Sequence, residues 1–329
     1  IKHVPVDQRA DFVDRLAHHG NYKYLSSDFS SFELHMNAKM MRAVELPFYR
    51  YMLQFVPEAR EFLAIHELAA TAEQVLNMKY WRMRIPACRM SGDTCTSLGN
   101  GITNYVLMKF IIRYFGGRVM DAVVEGDDGL YVIDGHVPTP QECLQCGAVV
   151  ELLVSDDLSC AGFCSMYFVD VDGRRVMMRD PREKLVKFGF TMSQFRFSHQ
   201  RVLDELLRAA GMSLAAELGQ CPIFWKVAEG VLADTCTSKP RFESDGYHTV
   251  PTRVVVRRPP ACARASFESL FHVTIEDQIA IEREIEQVGL RGGRVHDLCF
   301  TPERAYMTRL EKHCNAGTPT QYAFYSGLD

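Results

Sequence analysis

Two β-prone runs, residues 118–125 and 130–133, flank Gly126-Asp127-Asp128-Gly129, and no other stretch limits the possible folds of this chain so tightly. Glycine and aspartate between apolar runs read as a hairpin turn, which holds both carboxylates at its tip. A plain Asp-Gly turn is the alternative for the tetrad taken alone. Two adjacent acids at a tip, however, repel one another unless a cation neutralises them, so a hard divalent ion held by oxygen ligands is the economical partner.

Two further segments supply what such an ion could serve. Residues 22–25 read as a strand running into Asp28-Phe29-Ser30-Ser31-Phe32-Glu33, which places one acid at a strand end and a second in the following turn. Alone, Asp28 reads equally well as a helix cap. Residues 91–100, Ser-Gly-Asp-Thr-Cys-Thr-Ser-Leu-Gly-Asn, form a loop in which Gly92 gives backbone freedom. The loop runs into a helix on which Thr96 and Asn100, four residues apart, share a face. A polar cap and a solvent face would explain either residue singly; Ser91, Gly92, Thr96 and Asn100 together suggest a platform for one ligand.

The rest of the chain predicts an α+β lobe followed by a helical one, with the change near Pro181. At 329 residues it exceeds the usual limit of a single core, so two or three lobes are expected. Residues 32–55 read as a helix interrupted at Pro47, residues 57–77 as a second helix, 79–90 as extended, and 94–114 as a helix despite Gly99 and Gly101. Residues 139–146 are helical and 149–154 a strand, while 162–169 pairs with 174–178 across Asp172-Gly173. A helix over 193–210 is expected to stop at Gly211, and another over 274–288 opens with a Thr274-x-x-Asp277 box and is followed by Gly289.

Composition excludes little. With 47% hydrophobic and 24% charged residues, no apolar run approaches the roughly 18 needed to cross a bilayer, and no signal-peptide pattern opens the chain. Eleven cysteines, an odd number at irregular spacing, fit a reducing compartment better than a disulfide framework. Cys143-x-x-Cys146 with Cys160-x-x-x-Cys164 has spacing that zinc could use, but the first pair falls in a helical pattern and core thiols are the simpler reading. The formal net charge of -4 argues against a generally basic nucleic-acid coat. Locally, Arg179, Arg182, Lys184, Lys187, Arg196 and Arg201 face only Asp180 and Glu183, and Arg253, Arg257, Arg258 and Arg264 form a second basic group. Either could follow a phosphate backbone or simply be a solvated face.

In order and spacing, Asp28, Ser91-Gly92-x-x-x-Thr96-x-x-x-Asn100 and Gly126-Asp127-Asp128 resemble motifs A, B and C in the palm of positive-strand RNA virus polymerases. Ala161-Gly162-Phe163-Cys164-Ser165 is similar to motif E, where palm meets thumb, with Phe163, Cys164 and Ser165 as a primer grip. That hairpin and the Arg179-Asp180-Pro181 that follows look most like the tombusvirus and nodavirus side of the family. The resemblance implies a right-hand polymerase palm, an antiparallel sheet with flanking helices over 1–180, carrying a partial fingers insertion at about 45–88. A mainly α-helical thumb would occupy 181–329. It implies RNA-directed RNA synthesis with two Mg²⁺ ions, or Mn²⁺ in their place, held by Asp28, Asp127, Asp128 and the carbonyl of Phe29. Glu33, Ser91, Gly92, Thr96 and Asn100 would select the ribonucleotide, and Arg179, Lys184 and Lys187 would contact the RNA backbone. The implied partners are an RNA template, a primer or nascent strand, ribonucleoside triphosphates and other viral replicase proteins. The setting would be the host cytoplasm, in membrane-associated complexes anchored through parts outside this chain.

Three departures from the family pattern stand out. Glu33 occupies a position where Asp is more usual. Residues 129–173 contain neither Lys nor Arg, so the expected general acid of motif D is missing, and His136 is the sole basic side chain there. Only 27 residues precede Asp28, too few for most of the fingers with their basic motif F, which suggests part of a larger replicase. Two other readings compete. A reverse transcriptase shares the palm, but Gly126 and Asn100 disfavour it; a non-catalytic RNA-binding protein of palm ancestry would need no fingers.

Overall fold

The computed structural model describes residues 4–19, 22–90, 92–93, 95–189, 191, 193–195, 197–242 and 254–288. Ser91, Arg196, Arg253 and Gly289 lie outside the described residues, as does the side chain of Lys187. Two compact units emerge, one from Val13–Tyr167 and one from Val4–Phe12 with the chain from Phe168 onward.

In the first unit the strands are β1 (Lys23–Phe29), the ribbon β2 (Gln74–Asn77) and β3 (Arg82–Ile85), the hairpin β4 (Gly117–Glu125) and β5 (Asp128–Gly135), and β6 (Val150–Ser155). The main sheet runs β4-β5-β1-β6, with β1 antiparallel to both neighbours. Leu130 to Ile133 of β5 are all buried, so this strand is covered on both faces and its sequence is continuously apolar. Against the sheet packs the helix Thr96–Tyr114, whose buried residues include Asn100, Thr103, Asn104, Leu107, Met108, Ile111 and Ile112. One face thus changes from polar to apolar along its length. The apolar end joins Leu25, Phe29, Phe32, Tyr131 and Ile133 in a shared core, each buried aliphatic or aromatic side chain contributing about 1.5–3 kcal/mol. The polar end lies toward the hairpin tip.

Several expected elements differ. The 32–55 helix is divided into Phe32–His35, Ala38–Met40, a π-type turn Met41–Glu45 and Leu46–Met52. Pro47 falls in the first turn of the last piece, where its missing N–H costs nothing, rather than interrupting it. The expected 57–77 helix is observed as Ala59–Thr71, and its last residues form β2, because pairing with β3 satisfies their backbone groups.

The second unit contains most of β8 (Met166–Val171), which begins in the first unit after β7 (Gly162–Phe163), and β9 (Arg174–Met178). Asp172 and Gly173, both at positive φ, turn β8 into β9 as expected. Helices Gln200–Leu218, Phe224–Asp234, Ala261–Phe271 and Ile275–Val288 follow. The first starts later than expected and runs straight through Gly211, where an added Cβ would lie 2.5 Å from Val231. Gly211 therefore permits close helix packing and is not a stop. Thr274 does cap the last helix, accepting from the backbone N–H of Asp277 at 3.1 Å. Arg264, expected in a basic patch, is instead buried against Glu282 through two contacts of 3.0 and 2.8 Å. Among the described residues no helix is long and apolar enough to cross a membrane.

Candidate active site

Asp28 is the penultimate residue of β1, exposed between buried Ser27 and Phe29. The β1–β5 register ends with Ser27 opposite Gly129, so one further step sets Asp28 beside Asp128. Antiparallel neighbours have Cα atoms about 4.5–5.5 Å apart. Glu125 pairs with Asp128, leaving Gly126 and Asp127 as a two-residue turn with Gly126 at φ 65°. Glycine in the first turn position is what a tight II′-type hairpin requires. The register thus brings the acids of two distant segments to one end of the sheet.

Their electrostatics carry the mark of that crowding. The Asp128 carboxyl is raised to about 6, chiefly by burial, with the charges of Asp28, Asp127 and Glu125 adding to the rise and a hydrogen bond with Cys164 opposing it. Asp127 is raised too, chiefly by burial, against a backbone hydrogen bond that lowers it, with the charges of Asp28 and Glu33 adding to the rise. Asp127 and Asp128 thus feel each other's charge and that of Asp28, with Glu33 acting on Asp127 and Glu125 on Asp128. Such a site favours either a proton or a cation.

The platform is built on the Thr96–Tyr114 helix. Thr96 donates its hydroxyl to the Met90 carbonyl at 2.9 Å, which ties down the preceding loop. Asn100 is 4% exposed, and its Oδ1 is buried without a hydrogen-bond partner. Of the expected pair, Asn100 alone therefore offers an unspent acceptor. Gly92 stays outside the left-handed region, and a Cβ there would meet nothing within 4 Å, so the freedom expected of it is not used in this conformation. Glu33 lies in the first turn of Phe32–His35, and Phe29 ends β1 with its ring edge-on to Phe32 at 4.9 Å.

One neighbour escaped the sequence reading. Asn104, four residues beyond Asn100, donates from Nδ2 to the carbonyls of Gly126 at 3.2 Å and Asp127 at 2.8 Å. Its Oδ1 accepts from the Tyr131 hydroxyl at 2.9 Å. A single buried amide thus clamps the acidic turn to the platform helix. The i, i+4 spacing from Asn100 was the available signal.

Phe163 is buried, and Cys164 and Ser165 both adopt positive φ at the following turn, bringing the Cys164 thiol to Asp128. Arg179 and Lys184 both reach Glu217, at 3.9 and 2.9 Å. His136 contacts Glu142 at 3.0 Å. Cys143 belongs to the core, and among the described residues the cysteines at 143, 146, 160 and 164 form no metal-binding group.

The family profile described as "Viral RNA dependent RNA polymerase" matches residues 28–292. The chain is 25% identical over 218 residues to the "RNA-directed RNA polymerase" of Cymbidium ringspot virus, covering 61% of this chain and 25% of that one. Its fold is similar to the crystal structure of the RNA-dependent RNA polymerase of a human picorbirnavirus, with a TM-score of 0.51 at 14% identity. That likeness covers 91% of this chain and 51% of the other. The chain therefore spans a quarter of the length of the one relative and about half of the other.

Proposed function

This chain belongs to the viral RNA-dependent RNA polymerase family, of the tombusvirus type, and from that premise we propose that it forms the palm and thumb of an enzyme adding ribonucleotides to the 3′ end of RNA. The observation that carries the proposal is that Asp127 and Asp128 feel the charge of Asp28, at a turn held by Asn104 on the helix that also carries Asn100.

The donor set fits hard divalent cations, since it consists of oxygen ligands whose mutual repulsion a positive ion relieves. Asp28 and Asp127 would hold two Mg²⁺ ions, with Asp128 and the Phe29 carbonyl at the edge. When bound, such ions would supply Lewis acidity, lowering the pKa of a 3′-hydroxyl and neutralising a triphosphate. The protein's own part is to fix positions. Asn104 holds the Gly126 and Asp127 carbonyls of the turn, and the Cys164 thiol supports the ionised form of Asp128. Asn100, in this reading, accepts a hydrogen bond from the ribose, so that a missing hydroxyl leaves a buried acceptor unpaired at a cost of about 1–3 kcal/mol. RNA template, ribonucleoside triphosphates and other replicase proteins are the partners this reading requires.

Primer extension with ribonucleotides and Mg²⁺ on an RNA template tests the proposal. Asp127→Asn is expected to lower turnover by about 10³-fold or more, equivalent to roughly 4 kcal/mol of barrier. Circular dichroism should show the fold unchanged. Unaltered turnover in a folded Asp127→Asn protein would refute the assignment.

A further inference from the structure

A second group of ligating side chains lies away from the acidic turn, and the polymerase reading does not use it. Glu45 ends the π-type turn Met41–Glu45, His66 sits on the helix Ala59–Thr71, and Cys95 immediately precedes the helix Thr96–Tyr114. The ligand atoms of these three residues all lie within 4.8 Å of one another. Glu45 Oε1 and His66 Nε2 are 3.6 Å apart, too far for a good hydrogen bond, and both atoms are buried without a hydrogen-bond partner. Tetrahedral zinc, with bonds of about 2.0–2.3 Å, sets its ligand atoms roughly 3.3–3.8 Å apart, so this pair already has the spacing of one edge.

We propose that Glu45, His66 and Cys95 form a structural binding site for a thiophilic divalent cation, Zn²⁺ in the first instance, with water in the fourth position. The surroundings suit that ion. The Glu45 side chain is 1% exposed and His66 is 15% exposed, which leaves an approach on the histidine side. The His66 ring is fixed by Phe62, stacked at 5.9 Å, and by Tyr49, edge-on at 5.1 Å. Arg89 donates from Nη1 to Cys95 Sγ at 2.7 Å and from Nη2 to the other Glu45 oxygen. It therefore supports both anionic ligands from behind, the outer role that orients ligands at many metal sites. Gly99 makes room for this arrangement, since a Cβ there would lie 2.7 Å from Arg89 and 2.8 Å from Glu45. Binding exchanges the Cys95 thiol proton, released to solvent, for the cation. Zinc with one carboxylate and one thiolate is neutral, so the buried Arg89 leaves the site with one net positive charge. Three separate segments would then be tied to the start of the helix that carries Thr96 and Asn100.

The chain is equilibrated with Zn²⁺, dialysed, and assayed for metal by mass spectrometry. Stoichiometric zinc is expected in the native chain and in Asp127→Asn and Cys146→Ser, and none in Cys95→Ser or His66→Gln. Co²⁺ in place of zinc should give a thiolate-to-cobalt charge-transfer band that Cys95→Ser abolishes. Should Cys95→Ser not fold, thermal unfolding decides: Zn²⁺ raises and a chelator lowers the melting temperature of the native chain, while His66→Gln responds to neither. Retention of zinc by His66→Gln, or a native chain whose melting temperature ignores both zinc and chelator, overturns the site. So does stability that follows only the protonation of His66, since that describes an ion pair with Glu45.

Discussion

Acids are treated in opposite ways in the two units. Glu282, on the last described helix, is 6% exposed, receives Arg264 through two oxygens and accepts from the backbone N–H of Ile223 at 3.0 Å. Every demand of that buried charge is met locally. At the tip of β4 and β5, by contrast, Asp127 and Asp128 face the charges of Asp28, Glu33 and Glu125, and burial together with those charges holds their protons more tightly. The first arrangement supports a fold, whereas the second leaves electrostatic repulsion for a ligand to relieve. A carboxylate's partners, more than its burial, separate scaffold from site.

The contrast breaks most severely if Arg264 is removed. Arg264→Met leaves Glu282 buried and unpaired and is expected to cost about 3–5 kcal/mol in urea unfolding, while replacing both partners with apolar residues costs far less. Neither change should alter divalent-ion binding at Asp127. Losing the clamp has a smaller effect: Asn104→Ala deletes the amide that serves the Gly126 and Asp127 carbonyls and the Tyr131 hydroxyl. It should cost about 1–3 kcal/mol of stability and weaken Mn²⁺ binding, read by unfolding and by water-proton relaxation. A clamp that matters only to the fold would leave Mn²⁺ affinity unchanged.

The smallest effect has the opposite sign. Asp128 binds its proton more tightly in the folded chain, at about 6 against an ordinary 3.8, so its ionisation weakens the metal-free fold as pH rises through that interval. Asp128→Asn should then stabilise the metal-free chain above pH 6, on the order of 1 kcal/mol once solvent screening is allowed for. The gain should vanish below about pH 4, where both states are protonated, and Mg²⁺ should diminish it at neutral pH. A destabilised Asp128→Asn chain at pH 7 would place Asp128 with Glu282, among the satisfied acids.

How much of this could be read beforehand varied with the range of the forces involved. The hairpin around Asp127 was legible because a glycine-acid turn between apolar strands is a local signal, and Leu130 to Ile133 kept their pattern in β5. Asp28 was legible only as one of several motifs, since a lone acid after a strand has many uses. Residues 74–77 were misjudged because their strand state depends on pairing with 82–85, which local propensity does not contain. Gly211 misled for a similar reason: its role is set by Val231 on another helix, not by the turn rule for helix ends. Asn104 is a polar residue on a helix whose later turns are apolar, and its purpose is visible only with the acidic turn packed against it. Arg264 left its expected basic group once Glu282 was found opposite, while Arg257 and Arg258 stay exposed.

The central claim is that carboxylates from β1 and from the β4–β5 turn share a cation. Anomalous diffraction from crystals of the chain soaked in Mn²⁺ addresses it directly. A Mn²⁺ peak is expected between Asp28 and Asp127, within about 2.0–2.6 Å of an oxygen from each, and lost in Asp127→Asn. Crystals that show both side chains well ordered, with no peak between them at saturating Mn²⁺, would contradict it.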